Sequence, residues 1–156
     1  MVRTEKAKTA SLVLTAVIFL LLPFETTGLC EGCSIPARLS YSFFHANIFH
    51  AILNVWCLLS MVFYFRVNLI HLLAAYVVAI IAPATAPTIG LSAVCYALMG
   101  MIFPQVQRKL YYTSYILAFI LLGLFLGGTN VYIHIYSYIA GLLVGLLSQY
   151  LWCKKS

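Results

Sequence analysis

In this 156-residue chain the side chains able to do chemistry are few, and they fall in four short segments. The first reads Phe44-His45-Ala46-Asn47-Ile48-Phe49-His50-Ala51-Ile52-Leu53-Asn54. On a helix His50 and Asn54 stack on one face, whereas His45, five residues before His50, points elsewhere. Such a pair can mark a functional site, although His and Asn in an apolar helix also serve as interhelical glue worth about 1 kcal/mol. The second segment is Gly90-Leu91-Ser92-Ala93-Val94-Cys95-Tyr96-Ala97-Leu98-Met99-Gly100. A serine in such a helix ordinarily bonds back to its own backbone. Ser92, however, opens its helix just after a loop of Pro and small residues, and Gly90 permits close backbone approach. A hydroxyl so placed is a candidate nucleophile if a base lies near. The third segment runs from Asn130 to Gly145. It places His134 near the outer end of its helix, about one turn before Ser137, and Ser137, Gly141 and Gly145 form a small-residue stripe that lets a neighbouring helix come close. The fourth is Cys30-Glu31-Gly32-Cys33, a redox pair, half a metal site or a plain disulfide; with no second such pair nearby, a disulfide stapling its loop is expected. Cys57, Cys95 and Cys153 are isolated and read as packing residues, and His71, with no visible partner, as structural.

The elements that would position these groups are membrane helices. The chain is 64% hydrophobic and 8% charged, with a mean hydropathy of +1.04, against about 25% charged residues in soluble domains. A water-soluble fold this apolar has too few polar residues to cover its surface. No Lys, Arg, Asp or Glu occurs in the 27 residues between Arg38 and Arg66, the 41 between Arg66 and Arg108, or the 44 between Lys109 and Lys154. At about 20 residues per membrane helix, these gaps hold one, two and two spans. The long ones break at Ala82-Pro83-Ala84-Thr85-Ala86-Pro87-Thr88 and at Gly127-Gly128-Thr129-Asn130. With the run after Thr9, the expectation is a single all-α membrane domain over residues 1–156, a bundle of six transmembrane helices near 9–27, 43–65, 67–83, 90–107, 111–127 and 130–152. Lys6 and Lys8 ahead of the first run also fit a secretory signal, but Thr27-Gly28-Leu29-Cys30 is a poor cleavage or lipoprotein site, so a retained helix is expected.

Six spans put both termini and the loops at Arg66 and Arg108–Lys109 on one side, with eight of the nine Lys and Arg residues; only Arg38 lies opposite. The positive-inside rule makes that side the cytoplasm. Topology therefore accounts for the net charge of +6, and no nucleic-acid partner is expected. In this topology His45 and His50, Ser92 and His134 all fall in the non-cytoplasmic half of their helices. Polar groups at membrane depth are costly and usually mark function.

These motifs together resemble the rhomboid family of intramembrane serine proteases. The matching pieces are His45, His50 and Asn54 on span two, the Gly90-Leu91-Ser92 to Gly100 segment with Tyr96 on span four, and a His followed by small residues on span six. The resemblance covers spans two to six. It implies Ser92 as nucleophile, His134 as general base, and His50 and Asn54 joining the Ser92 N–H around the oxyanion, with Tyr96 packed on the catalytic imidazole. No carboxylate lies near these segments, so a Ser–His dyad is implied. His45 and Gly90 take supporting places, and Arg38 resembles an arginine of the family's first loop, one residue out of step. The chain departs from the family pattern in two places. Ala93 stands where Gly usually follows the nucleophile. In span six, plain similarity over Ile139-Ala140-Gly141-Leu142-Leu143-Val144-Gly145 aligns Tyr138 with the family's His, and a shift of one turn aligns His134 instead. Rise counted from the cytoplasmic charges, at 1.5 Å per residue, gives about 24 Å for Ser92, about 30 Å for His134 and about 24 Å for Tyr138, which points to Tyr138. Tyrosine, with a pKa near 10, is a poor base at neutral pH, and His134 is the preferred register.

The activity so implied is an intramembrane endopeptidase of the cell membrane. Its partners are transmembrane-helix protein substrates and the lipid bilayer; no cofactor and no metal is expected. An inactive relative that binds membrane helices is the first alternative, and a membrane thiol oxidoreductase using Cys30 and Cys33 the second. A small transporter is disfavoured by the lack of intramembrane carboxylates and of a visible repeat.

Overall fold

Four helix starts in the described residues are set by Asn or Ser side chains, those of Ser34, Asn47, Asn68 and Asn130, which bond orphan N–H groups of the first turn. In the computed structural model, which describes residues 2–24, 28–125 and 129–153, seven α-helices form: α1 (Val2–Leu21), α2 (Ile35–Ser40), α3 (Ile48–Tyr64), α4 (Leu69–Ile81), α5 (Ser92–Ile102), α6 (Lys109–Phe125) and α7 (Val131–Cys153). The described residues are all-α. Their extended pairing is a lone antiparallel bridge between Leu29 and Thr88.

Each expected segment meets a helix, with shifted ends. The first helix begins at Val2 and ends at Leu21, short of Pro23; residues 25–27 of that segment, 126–127 of the fifth, the Gly127-Gly128 break and the charges of Lys154 and Lys155 lie outside the described residues. The second does not start at 43. Asn47 is extended and its side chain accepts the His50 N–H, which delays α3 to Ile48. The residues before it form α2 and a tight 3-10 turn over Tyr41–Phe43, and this arm meets α3 at 82°. The fourth expected segment, 90–107, is helical only to Ile102 and then tightens into a 3-10 turn around Pro104. Asn68 caps α4 and explains His71. Asn68 Oδ1 accepts the His71 N–H at 3.0 Å, and His71 Nδ1 accepts the Asn68 N–H at 3.2 Å. His71 thus has a partner, in a reciprocal cap.

The core is α5, buried from Ser92 to Ile102 except for half-buried Met99. Its closest neighbour is α7, and the seam between them is backbone against backbone. A Cβ on Gly141 would collide with the Ala97 carbonyl, one on Gly100 with the Tyr138 carbonyl, and one on Gly145 would stand 2.6 Å from Met101 O. The small-residue stripe of Ser137, Gly141 and Gly145 therefore faces α5. Helix α4 packs on another side of α5, α1 lies across α3 and α4, and α6 rests on α7. Tyr112 of α6 donates to Met99 O at 2.9 Å.

Among the described residues α7 is the one helix long and apolar enough by itself to cross a bilayer, over Val131–Tyr150; α2 with α3 pass the same test only as a bent pair, and α4, α5 and α6 are shorter apolar helices. The outward faces are apolar: Phe49, Leu53, Trp56, Ile70, Phe125 and Leu147 are all exposed.

Candidate active site

Helices α3, α5 and α7 begin at the same end of the bundle. Ser92 is the first residue of α5, His50 the third of α3 and His134 the fourth of α7. First-turn N–H groups have no intrahelical partner, and the helix dipoles place partial positive charge there. Three positive helix ends thus gather around Ser92.

Ser92 Oγ and His134 Nε2 are 3.0 Å apart, and both residues are buried. That separation is a hydrogen bond in which the neutral imidazole accepts from the hydroxyl, which puts the ring proton on Nδ1. Among the described residues His134 Nδ1 is buried with no partner, and no carboxylate orients it. The ring of Tyr96 does so instead, stacked on the imidazole with centroids 4.4 Å apart and planes at 17°.

Tyr138, the competing register, is half-buried one turn deeper on α7, and its carbonyl lies against Gly100, eight residues beyond Ser92. The side chain of α7 that reaches Ser92 is His134.

On the other side of the serine, Gly90 has φ +112, a conformation that favours glycine, and a Cβ there would stand 2.7 Å from His50 Cε1, 3.1 Å from His50 Nε2 and 3.4 Å from Asn54 Nδ2. His50 and Asn54 therefore close directly on the backbone two residues before the nucleophile. Asn54 Nδ2 is buried and has no partner among the described residues, an amide donor left free to bind. Such groups are rare in folded proteins and costly.

His45 does not point away. Residues 44–47 precede the helix, so helical spacing does not govern them; the His45 ring meets His50 edge-on at 5.2 Å, and its Nε2 accepts the Leu91 N–H at 3.3 Å. Tyr41 O accepts the Gly90 N–H at 3.0 Å. The arm before α3 thereby holds both amides that precede Ser92. The arm is itself fixed to the end of α4. Arg38 donates to Ile80 O at 2.9 Å and Ala82 O at 3.0 Å, Tyr41 OH to Ala79 O at 2.9 Å, and Tyr76 OH to Leu39 O. Arg38 thus satisfies the carbonyls that end α4, a role its position in the sequence did not reveal.

A cavity of about 550 Å3 descends from Ser92, His134, His50 and Asn54 between α3, α5 and α6, walled lower down by residues such as Trp56 and Phe119. Cys57 and Cys95, expected to be isolated, both line it, and Cys95 Sγ donates to Asn54 O at 3.4 Å. Cys153 has no described side chain. Cys30 and Cys33 do not line the cavity and do not form the expected disulfide. Their turn is closed by the Cys33 N–H on Cys30 O at 3.2 Å with Gly32 at φ +70, so backbone geometry suffices to staple it. No group of three metal-ligating side chains occurs among the described residues. No family model and no curated protein matches the chain.

Proposed function

We propose that this chain is an intramembrane serine endopeptidase of rhomboid type, hydrolysing peptide bonds in or near transmembrane helices of other membrane proteins. The observation that carries the reading is the 3.0 Å contact between Ser92 Oγ and His134 Nε2, made beside an unpartnered Asn54 amide. His134 takes the proton of Ser92 as Oγ attacks the scissile carbonyl. The oxyanion that forms is met by Asn54 Nδ2, a His50 ring N–H and the Ser92 backbone N–H at the start of α5. The His134 imidazolium then protonates the leaving amine, which departs and leaves an ester on Ser92. A water, deprotonated by His134, attacks that ester, releasing the new carboxyl terminus and restoring the hydroxyl. A Tyr96 stack takes the orienting place that a carboxylate holds in a triad.

The setting supports this reading. Exposed Phe49, Leu53, Trp56 and Phe125 need lipid as their solvent, and the charge-free stretches fit six spans, α1, the bent α2–α3 pair, α4, α5, α6 and α7, with both termini cytoplasmic in the cell membrane. At 11 residues, α5 is about 16 Å long, well short of the roughly 30 Å hydrocarbon core. Its first turn therefore begins inside the membrane, screened by longer neighbours, where water can reach Ser92 from the outer face. The cavity between α3 and α6 accepts an unwound stretch of a substrate helix, because a helical peptide bond is hidden from a nucleophile.

The test is labelling of the detergent-purified protein by a fluorophosphonate probe. Wild type and Tyr138→Phe are expected to label, and Ser92→Ala and His134→Ala are not. Well-folded wild type that fails to label would make the chain a helix-binding relative without peptidase activity.

A further inference from the structure

We infer that Asn130 is a positioning residue that locks His134 in register with Ser92, an inference that rests on the serine-peptidase reading. Asn130 stands four residues before His134, and Thr88 four before Ser92. The two segments meet there. Asn130 is 7% exposed, and its side chain makes four contacts. Nδ2 donates to Thr88 Oγ1 at 2.8 Å and to Ala86 O at 3.3 Å. Oδ1 accepts the Ile133 N–H at 3.3 Å and the Thr85 hydroxyl at 3.4 Å. One amide therefore caps the first turn of α7 and binds the loop that delivers the nucleophile.

Two observations make this more than a helix cap. Thr88 is fixed from its other side by the paired backbone bonds with Leu29, 2.9 Å and 2.7 Å long, so Asn130 is tied to a rigid point. The glycine seam, by contrast, fixes how closely α7 approaches α5 but offers no directional bond along the helix axis. A slide of α7 by a fraction of a turn would keep small residues facing α5 and still carry His134 away from Ser92 Oγ. The Asn130 amide supplies the directional restraint one turn from the reacting atoms. Only a side chain with both donor and acceptor does this. Aspartate keeps the cap on Ile133 but has no proton to give Thr88 or Ala86.

The experiment measures fluorophosphonate inactivation of the full chain in detergent, separating the maximal rate of labelling from probe affinity, for wild type, Asn130→Asp, Asn130→Ala, Thr88→Val and the Asn130→Ala/Thr88→Val double variant, with thermal unfolding in parallel. A misplacement on the order of 1 Å costs about 100-fold in rate. The maximal rate is accordingly expected to fall about 10- to 100-fold in each single variant, with affinity within about twofold. Thr88→Val, which leaves the Asn130 cap on Ile133 intact, should lose rate while holding its melting temperature, and the double variant should be no slower than Asn130→Ala. Wild-type rates in folded Asn130→Asp and Thr88→Val, or losses that track unfolding alone, overturn the positioning role and leave the peptidase reading intact. A wild type that does not label at all overturns both, which distinguishes the two failures.

Discussion

The rings of Tyr96 and His134 lie nearly parallel, 4.4 Å apart at 17°, and this contact is made on the face of the same imidazole whose Nε2 meets Ser92. One ring edge does the proposed proton transfer while the ring plane is held by an aromatic neighbour. Stacked aromatic pairs contribute about 0.5–1.5 kcal/mol beyond their area. Tyr96→Phe keeps the stack and should label with fluorophosphonate at close to the wild-type rate. Tyr96→Ala frees the imidazole and should lower the rate about tenfold, the rate equivalent of about 1.4 kcal/mol. Equal rates in both variants would remove the orienting role of the stack.

The unpartnered Asn54 amide makes a sharper case. A donor aimed at an oxyanion is worth about 100- to 1,000-fold in turnover, whereas a donor that merely packs helices is worth about 1 kcal/mol of stability. Asn54→Ala is therefore expected to lose that much turnover on a reporter transmembrane substrate in proteoliposomes. It should also keep or raise its melting temperature, because a buried group without a partner has been removed. Full turnover with a lower melting temperature would return Asn54 to a packing role.

What could be read from the sequence divides along physical lines. Helix identity was legible because the charge-free stretches and the Pro- and Gly-rich breaks are local signals. Helix ends were less so. The rise count that pointed to Tyr138 assumed an unbroken helix from Ser92 to Arg108, but α5 stops at Ile102 and a 3-10 turn follows, so a rise of about 1.5 Å per residue does not hold beyond Ile102 and the count fixes no depth for Ser92. The position of His45 was lost for a related reason: Asn47 takes the cap, and helical spacing fails before it. The Asn47 and Asn68 caps were signals in plain view, a polar amide before each apolar run. The partners of Arg38 were not, since the bonds to Ile80 and Ala82 span more than forty residues and no local pattern encodes them. The Ser92–His134 pairing was expected from the family resemblance and from the high pKa of tyrosine, since no local pattern links residues 42 apart.

Gly90 gives a prediction in which backbone and site cannot be separated. Its φ of +112 and the 2.7 Å from its missing Cβ to the His50 ring mean that Gly90→Ala must both strain the turn and displace His50. Strained backbone of this kind costs about 1–3 kcal/mol. The variant is expected to melt earlier and to lose turnover beyond what unfolding explains. Gly32, also at positive φ but with open space around its Cβ position, lies in the loop outside the cavity. Gly32→Ala should shift stability modestly and leave turnover per folded molecule unchanged. Equal turnover losses in the two would trace the effect to backbone strain alone.

The seam between α5 and α7 sets the last expectation. Gly141 is pressed on the Ala97 carbonyl and Gly145 on Met101, whose O would lie 2.6 Å from an added Cβ. These obstacles are helix backbone, which yields only if the helices part. Gly123 of α6 differs: its added Cβ would meet the Thr129 Cγ2 methyl at 3.2 Å, a side-chain end able to turn aside. Overpacking of a close seam costs about 1–3 kcal/mol. Ser92 and His134 sit on the two helices being parted, so the proposed dyad opens as the seam does. Gly141→Ala should therefore lose fluorophosphonate labelling per folded molecule as well as thermal stability, while Gly123→Ala stays near wild type in both. Gly141→Ala that melts early yet labels at the full rate would mean that the dyad spacing is set by the loops above α5 and α7, and no longer by the seam below them.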